Sequence, residues 1–431
     1  MKKVLVITYY WPPCGGAGVQ RCLKFVKYLS QFGIQPTVIT VDENKASYPV
    51  IDETLLNEVP DNIKIYRTST SEPFGFYKLL NRKKDIPHSA FANESKPSFL
   101  QKVSRFIRGN LFIPDARVGW NKYAYKQAKS LLQNESFDAI FISTPPHSTQ
   151  LLGLRLKKEF KLPWIADIRD PWTDIFFYKS MYHLGFIKKL DAKYERTVLE
   201  QADSVLVVSE SIKRIFASKS NDVNADKIQV IPNGFDEEDF NVLSSPSEDS
   251  LIITYTGTLS DDYNISSFIK ALAEIIIDNP TVSIKIRFVG RVSERVLDEF
   301  KSNNLSNHIE VIKYVPHNES INYLMQSTAL LLVIPDIINN EGILTGKLFE
   351  YLASRKPIIG IGPEQGDAAN IINECQAGSM FNYGEFDRIK IHLNDLVAHW
   401  KQNPRLDLTK DTYKKYSRKN QAEVLSKIIN K

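Results

Sequence analysis

The sequence predicts an α/β protein built from two parallel-sheet domains. Short β-branched runs alternate with amphipathic stretches along the chain, as in βαβ units. The strand candidates are apolar on consecutive residues, which suits sheets covered on both faces. The chain has 431 residues, more than one core of roughly 250–300 residues holds.

In the first domain, residues 1–240, strands are predicted at KVLVIT (3–8), PTVITV (36–41), IKIYRT (63–68), AIFIST (139–144), WIADI (164–168) and VLVVS (205–209). The segment from about 70 to 115 breaks the alternation and reads as an insertion, helical or irregular. The polar stretch NVLSSPSEDS (241–250) reads as a linker. The alternation then restarts in a second domain, 251–405, with strands at LIITYTGT (251–258), IKIRFVG (284–290), IEVIKY (309–314), ALLLVIP (329–335), PIIGIG (357–362) and GSMFNY (378–383). The tail, 406–431, has helical spacing at Tyr416, Ala422, Leu425, Ile428 and Ile429 and predicts a terminal helix packed across the two domains.

With 43% hydrophobic and 24% charged residues the composition is that of a globular protein, neither disordered nor fibrous. No run of ~18 apolar residues predicts a membrane span. The opening MKKVLVITYY meets Trp11, Pro12 and Pro13 without a small-residue cleavage site, so it reads as a first strand rather than an export signal. Three cysteines, Cys14, Cys22 and Cys375, make neither a paired framework nor a C-x-x-C motif, which fits a reducing cytoplasm. The net charge of +5 is small for this length, and no nucleic-acid partner is expected.

Two open α/β sheets facing a central cleft place the carboxyl ends of their strands around it, so functional residues are expected where strands stop. After the first strand comes YYWPPCGGAGVQR. Gly15, Gly16 and Gly18 let backbone N–H groups approach an anion or a sugar, or they simply serve a tight strand-to-helix turn. A dinucleotide fingerprint fits poorly, because Arg21 occupies its third glycine position and Pro12 and Pro13 lengthen the turn. In STPPHS, His147 sits at a strand end, either as a hydrogen-bond donor to a sugar hydroxyl or as a capping residue. ADIRDPWTD places Asp167, Arg169, Asp170 and Asp174 beside Trp172. Asp170 caps the next segment and Arg169 pairs with a carboxylate, or the group serves acceptor binding or catalysis.

No D-x-D pair occurs to hold a divalent ion on a diphosphate. Positive charge would instead come from Arg291, Lys347 and a helix end, with Gly257 opening the same face. In GILTGKLFEYLASRKPIIGIGP, Thr345, Gly346 and Lys347 begin a helix whose free N–H groups and ammonium suit phosphate. Glu350 follows one turn later on the same side and suits a ribose diol, which needs an acceptor-only partner.

The segments PPCGGAGVQRCLKFVKYL, STPPHS, ADIRDPW, VIPNGFD, YTGTL and TGKLFEYLASRKPII together resemble the two-domain GT-B glycosyltransferases, specifically the retaining enzymes of glycosyltransferase family 4. The resemblance runs over nearly the whole chain. It implies a nucleotide diphosphate sugar as donor, held mostly by the second domain, and a glycan or lipid-linked acceptor on the first. It also implies transfer with retention and without a metal or other cofactor, typically in bacterial polysaccharide or lipopolysaccharide assembly. It makes His147 a contact to the transferred sugar and Gly16 a neighbour of the donor diphosphate. The family's E-x7-E pattern puts its second glutamate on Glu350 and its first at Gly342, one residue after Glu341. The basic residues usual after a YTGTL-like strand are replaced by the acidic TLSDDYN.

FGFYKLLNRKK (74–84) and FLQKVSRFIRGNLF (99–112) mix aromatic and basic residues without acidic ones, which suits either an anionic membrane surface on the cytoplasmic side or a solvated basic face. The alternatives to a transferase are a sugar nucleotide 2-epimerase, which shares the architecture, and a non-catalytic binding subunit.

Overall fold

The computed structural model describes residues 1–72, 99–175, 177–241, 244–408 and 410–431. The chain forms two compact units, Met1–Pro232 with Arg418–Lys431, and Asn233–Ser417. The division falls ahead of the polar stretch expected to be the linker. Phe235 is already buried in the core that surrounds Leu344, and Asn233 donates to the Leu344 carbonyl (3.5 Å). FGFYKLLNRKK lies outside the described residues.

The first unit is a parallel sheet of seven strands in the order β3-β2-β1-β4-β5-β6-β7. These are β1 (Lys2–Thr8), β2 (Ile34–Val41), β3 (Lys64–Thr68), β4 (Ala139–Thr144), β5 (Trp164–Ile168), β6 (Ser204–Val207) and β7 (Ile228–Val230). Alternate residues of β1 feed two cores: Val4 and Val6 pack on one face, Leu5 and Ile7 on the other. That is why the strand is apolar throughout rather than alternating. The described helices of this unit are α1 (Ala17–Leu29), α2 (Phe99–Leu111), α3 (Asn121–Asn134), α4 (Gln150–Phe160), α5 (Gly185–Gln201), α6 (Glu210–Ala217) and the last helix, Arg418–Ile429. That last helix lays Ala422, Leu425, Ile428 and Ile429 into the core formed by Leu23 and Val26 of α1. Lys2 Nζ also donates to the Ile429 carbonyl (3.1 Å). The tail therefore splits: residues up to Ser417 belong to the second unit and the helix to the first.

The second unit has six parallel strands in the order β10-β9-β8-β11-β12-β13. They are β8 (Leu251–Leu259), β9 (Ile284–Val292), β10 (Ile309–Ile312), β11 (Ala329–Val333), β12 (Ile358–Ile361) and β13 (Gly378–Phe381). Its helices are α7 (Ser266–Asp278), α8 (Glu294–Ser302), α9 (His317–Met325), α10 (Gly346–Ser354), α11 (Asp367–Cys375) and α12 (Phe386–Gln402), which makes the last helix of the chain α13. In each sheet the strand order reverses once, between β1 and β4 and between β8 and β11. Crevices at such reversals are where open α/β sheets bind ligands.

One interaction in the first sheet was not foreseen. Arg21 of α1 and Asp167 of β5 are both fully buried and joined by Nη2–Oδ1 (2.9 Å) and Nε–Oδ1 (3.2 Å) contacts. Ser143 Oγ donates to Asp167 Oδ2 (2.7 Å), and Arg21 Nη1 donates to the Pro232 carbonyl (2.7 Å). The pair fastens a helix on one side of β1 to a strand beyond β4. Removing one member strands a charge in the core, so Arg21→Met should destabilise this unit by about 3–5 kcal/mol. The double change Arg21→Met with Asp167→Leu should cost much less. Urea unfolding followed by tryptophan fluorescence reads this unit, because Trp11, Trp120, Trp164 and Trp172 lie in it and only Trp400 lies outside.

Candidate functional site

In the second unit the candidate residues converge on the start of α10. This helix forms because Leu348, Phe349, Tyr351 and Leu352 bury completely, and it ends at Arg355 in a left-handed conformation (φ 60°). Its amino end is unusual. Thr345 occupies the N-cap position, yet its hydroxyl makes no capping bond, and Oγ1 is buried without a partner. A threonine there ordinarily satisfies an N–H of the first turn. The first-turn N–H groups are thus left for something else.

Lys347 folds back over the end of β8. Its Nζ donates to Tyr255 Oη (2.5 Å) and stands 4.1 Å from the centre of that ring, while Tyr255 Oη donates to the Thr258 carbonyl (2.7 Å). Room for the lysine comes from Gly257, where a Cβ would lie 2.8 Å from Lys347 Cε and φ is +95°. Gly290 of β9, at φ +133°, sits against the Gly257 carbonyl, where a Cβ would approach to 2.2 Å. Among the described residues no carboxylate forms an ion pair with Lys347. Burial pushes its pKa down to about 7, against a smaller upward pull from Glu350.

Glu350 is held by His317, the first residue of α9, at 3.1 Å between Oε1 and Nε2. Both side chains keep partial exposure. Arg291 lies within β9 rather than beyond it, exposed, in register with Thr258. Glu341 is exposed in the short turn Asn340–Gly342.

In the first unit the candidates surround a cavity of about 310 Å3 lined by Gly15, Gly18, Arg169 and Asp170 among others. Gly16 is the N-cap of α1 at φ +103°, and the Arg169 guanidinium fills the space a side chain at Gly18 would need, 2.6 Å from Nη2. Arg169 Nε donates to the Thr144 carbonyl (2.7 Å). Burial lowers its pKa, and burial raises that of Asp170, with Arg169 opposing the rise.

His147 opens the turn after β4, and its ring stacks on Trp172 (4.8 Å, 14°). Trp172 Nε1 donates to Asp191 Oδ1 (2.9 Å), a carboxyl that burial pushes up to about 6. Burial, with a contribution from Arg169, pushes the His147 pKa down to about 3, so the imidazole is neutral at physiological pH. Its Nδ1 is buried without a partner.

Several sequence readings need correction. Asp167 is fully buried and taken by Arg21 and Ser143, so it cannot face an acceptor. Arg21 stands where a fingerprint glycine would be because it supplies that ion pair. Among the described residues Arg169 forms no ion pair; its guanidinium packs on α1 instead. Asp170 does not cap the Trp172–Asp174 turn through its side chain; its backbone carbonyl accepts from Trp172 N (2.7 Å) and its carboxyl lines the cavity. The Gly15 N–H is taken by the Val50 carbonyl (3.0 Å), which leaves it unavailable to a donor. Asp174 pairs with Lys219.

Tyr255, Gly290, His317 and the Trp172 stack were missed. His317 follows Pro316 at a helix start, as His147 follows Pro146, and that shared pattern was the available signal. Among the described residues no group of three or more His, Cys, Asp or Glu could hold a metal ion.

Residues 15–239 match Glycosyltransferase Family 4 and residues 236–415 match Glycosyl transferases group 1. No curated protein matches the chain. Among solved structures, a glycosyltransferase from Rickettsia africae is similar with a TM-score of 0.63 at 14% identity, covering 100% of this chain and 98% of that one. Anabaena Alr3699/HepE in complex with UDP and glucose is similar with a TM-score of 0.61 at 14% identity, with 100% of both chains covered. WaaG, a glycosyltransferase involved in lipopolysaccharide biosynthesis, has a TM-score of 0.53 at 13% identity, covering 99% of each chain. With both sheets parallel and both family matches in chain order, the chain belongs to Glycosyltransferase Family 4 and is a glycosyltransferase of the GT-B fold.

Proposed function

We propose that the protein transfers a sugar from a nucleotide diphosphate sugar to a glycan or lipid-linked acceptor, with retention at the anomeric carbon, in bacterial surface polysaccharide or lipopolysaccharide assembly. The observation that carries this reading is the amino end of α10: a half-buried ammonium that has no counter-ion among the described residues, beside an N-cap threonine whose hydroxyl has no partner among them. A diphosphate supplies what both lack. Glu350, one turn on, suits the ribose diol, and His317 fixes its carboxylate. The similarity to a protein seen with UDP and glucose makes UDP-sugars the first donors to test.

In the reaction the bond from the anomeric carbon to the diphosphate oxygen breaks, and a bond to the acceptor oxygen forms on the same face. The acceptor hydroxyl's proton passes to the leaving phosphate oxygen, so no separate base is required. Negative charge grows on the leaving group, where Lys347 and the first-turn N–H groups of α10 already point. Arg291, exposed at the end of the neighbouring strand, adds to that field. This positive set serves the role a divalent ion plays elsewhere. His147, neutral, contacts the transferred sugar by hydrogen bonding rather than by proton transfer, and the acceptor occupies the cavity beside Arg169 and Asp170.

A thermal-shift screen against UDP-, GDP- and ADP-sugars should show one class raising the melting temperature, with transfer to a glycan panel for that class. If none stabilises the protein, the reading fails. Replacing Lys347 with Met should lower kcat/KM by about 100-fold or more, since oxyanion-type donors contribute on the order of 10²–10³. The free lysine is half protonated near pH 7, and a diphosphate binds the protonated form. UDP affinity should therefore weaken as pH rises above about 7, approaching tenfold per unit until the bound-form pKa is reached, and Lys347→Met should abolish that slope in calorimetric titrations. Glu350→Gln should weaken binding of UDP by about tenfold while leaving a 2′,3′-dideoxy analogue nearly unaffected, because only the diol loses its acceptor.

A further inference from the structure

We infer that Asp191 is a positioning residue for transfer: held as a buried anion on α5, it fixes through Trp172 the plane of the His147 imidazole. What His147 does rests on the transferase reading; how it is held belongs to the first unit alone. Backbone and ring are held separately. Ser148 N and Oγ donate to the two carboxylate oxygens of Asp115 (2.8 and 2.9 Å), and Asn121 Nδ2 donates to the Ser148 carbonyl (2.7 Å), which fixes the turn His147–Thr149. The ring is set by stacking. Its Nδ1 is buried without a partner among the described residues, and its face lies on Trp172 at 4.8 Å and 14°.

Trp172 is in turn tethered to α5. Asp191 and Glu195, four residues apart and therefore on one side of that helix, are each 1% exposed. Glu195 holds the backbone beside the indole: Thr173 N (3.2 Å) and Oγ1 (2.6 Å) donate to it, and Lys219 neutralises it at 2.8 Å. Asp191 holds the indole itself. Its Oδ1 accepts from Trp172 Nε1 and its Oδ2 from Tyr178 Oη, both at 2.9 Å. Among the described residues no cation pairs with it.

A buried carboxylate without a cation is costly, and an asparagine would offer the indole an acceptor without that cost. A charge kept where a neutral group would serve packing points to function. What the charge adds is a charge-assisted bond, roughly twice as strong as a neutral one, on the ring against which His147 is aligned. Burial pushes the Asp191 carboxyl up to about 6, opposed by the Trp172 and Tyr178 donors and reinforced by Glu195 and Asp115. The other charged or titratable groups nearby are His183, stacked on Tyr178, and Lys219, whose ammonium is taken by Glu195 and Asp174. A carboxyl whose pKa folding raises stabilises the fold when it is protonated. As pH falls through about 6, this group therefore adds stability while its hold on Trp172 weakens.

The test follows the His147 ring by NMR in protein labelled with heavy-nitrogen histidine, from about pH 5 to about pH 8, with the signals assigned through His147→Gln. The imidazole stays neutral over this range, so its signals should move through its surroundings alone, with a midpoint near pH 6. In Asp191→Asn they should keep the wild type's low-pH position throughout. With the donor that raises the melting temperature, kcat should fall about tenfold as pH drops through about 6, and the donor KM should change less than about twofold. Asp191→Asn and Trp172→Phe should each show that lower kcat at every pH, and the two together should lose no more than either alone. Asp191→Asn should melt no lower than the wild type at neutral pH. A His147 signal that ignores pH near 6, or that still moves in Asp191→Asn, overturns the inference. So does an acid limb that survives in Asp191→Asn, which would belong to another group such as His317, or a loss of turnover in that variant matched by a lower melting temperature. The NMR measurement needs neither donor nor acceptor. If no sugar nucleotide binds, the transferase reading fails while the tether is still decided there; a working transferase whose His147 ignores Asp191 overturns the tether alone.

Discussion

A half-buried ammonium with no counter-ion among the described residues is the constraint around which the second unit is arranged. Lys347 loses hydration without gaining a carboxylate, and the fold compensates only partly, through one tyrosine hydroxyl and the face of its ring. Several local choices follow from placing it there. Gly257 must lack a side chain, and Gly290 must lack one because Gly257's carbonyl turns toward it. Tyr255 must bury a ring among core residues while its hydroxyl reaches the strand end. An ordinary packing helix would relieve the strain by capping with Thr345 and pairing Lys347 with Glu350, one turn away. Here Thr345 caps nothing and Glu350 is turned to His317. The helix has kept its polar groups unsatisfied at the one end that faces a strand reversal.

The first unit treats its two central arginines in opposite ways, and the contrast separates structure from function. Arg21 is fully buried and each of its three nitrogens is engaged, by Asp167 or by a backbone carbonyl. It holds α1 and β5 together and has nothing left to offer a ligand. Arg169, two residues beyond Asp167, commits its Nε to a carbonyl and, among the described residues, no other donor, and it lines a cavity. Gly18 is required for Arg169 to lie there, so one glycine of the cluster after β1 serves an arginine and another, Gly15, serves a loop carbonyl. Of that cluster, Gly16 keeps the backbone freedom expected of a ligand-facing position.

Parallel architecture was legible because buried strands advertise themselves by consecutive apolar residues, and the helix beginning at Gly346 was legible because Leu348, Phe349, Tyr351 and Leu352 recur at helical spacing. The short edge strand β7 was not, since Ile228–Val230 is too brief to show a pattern. The unit boundary was placed too late because composition marks polar stretches, whereas burial of Phe235 is a contact with residues more than a hundred positions away. The same limit explains the misread carboxylates. ADIRDPWTD shows four charges in a row of nine residues, but which one is taken by Arg21, which by Lys219 and which lines a cavity depends on partners far along the chain. His317 shares the limit: its Pro-His pattern marks a helix start, but that it touches Glu350 depends on the fold.

The titrating groups of the two units respond to burial in the same direction, with different consequences. Burial disfavours the charged form of both His147 and Lys347. For the imidazole this removes charge completely in the neutral range, which leaves a rigid, stacked hydrogen-bonding group. For the ammonium it moves the titration from far above neutrality to its centre, so the group can be neutral when alone and charged when an anion arrives. Binding a diphosphate would then restore the proton and the charge together, which makes the positive field strongest only when a leaving group is present. A lysine serves this purpose where an arginine would not, because a guanidinium keeps its proton under any of these conditions. Each unit therefore answers pH by itself: the His147 imidazole stays neutral near neutrality, while the Asp191 carboxyl behind its Trp172 stack and, in the other unit, the Lys347 ammonium change state around that range.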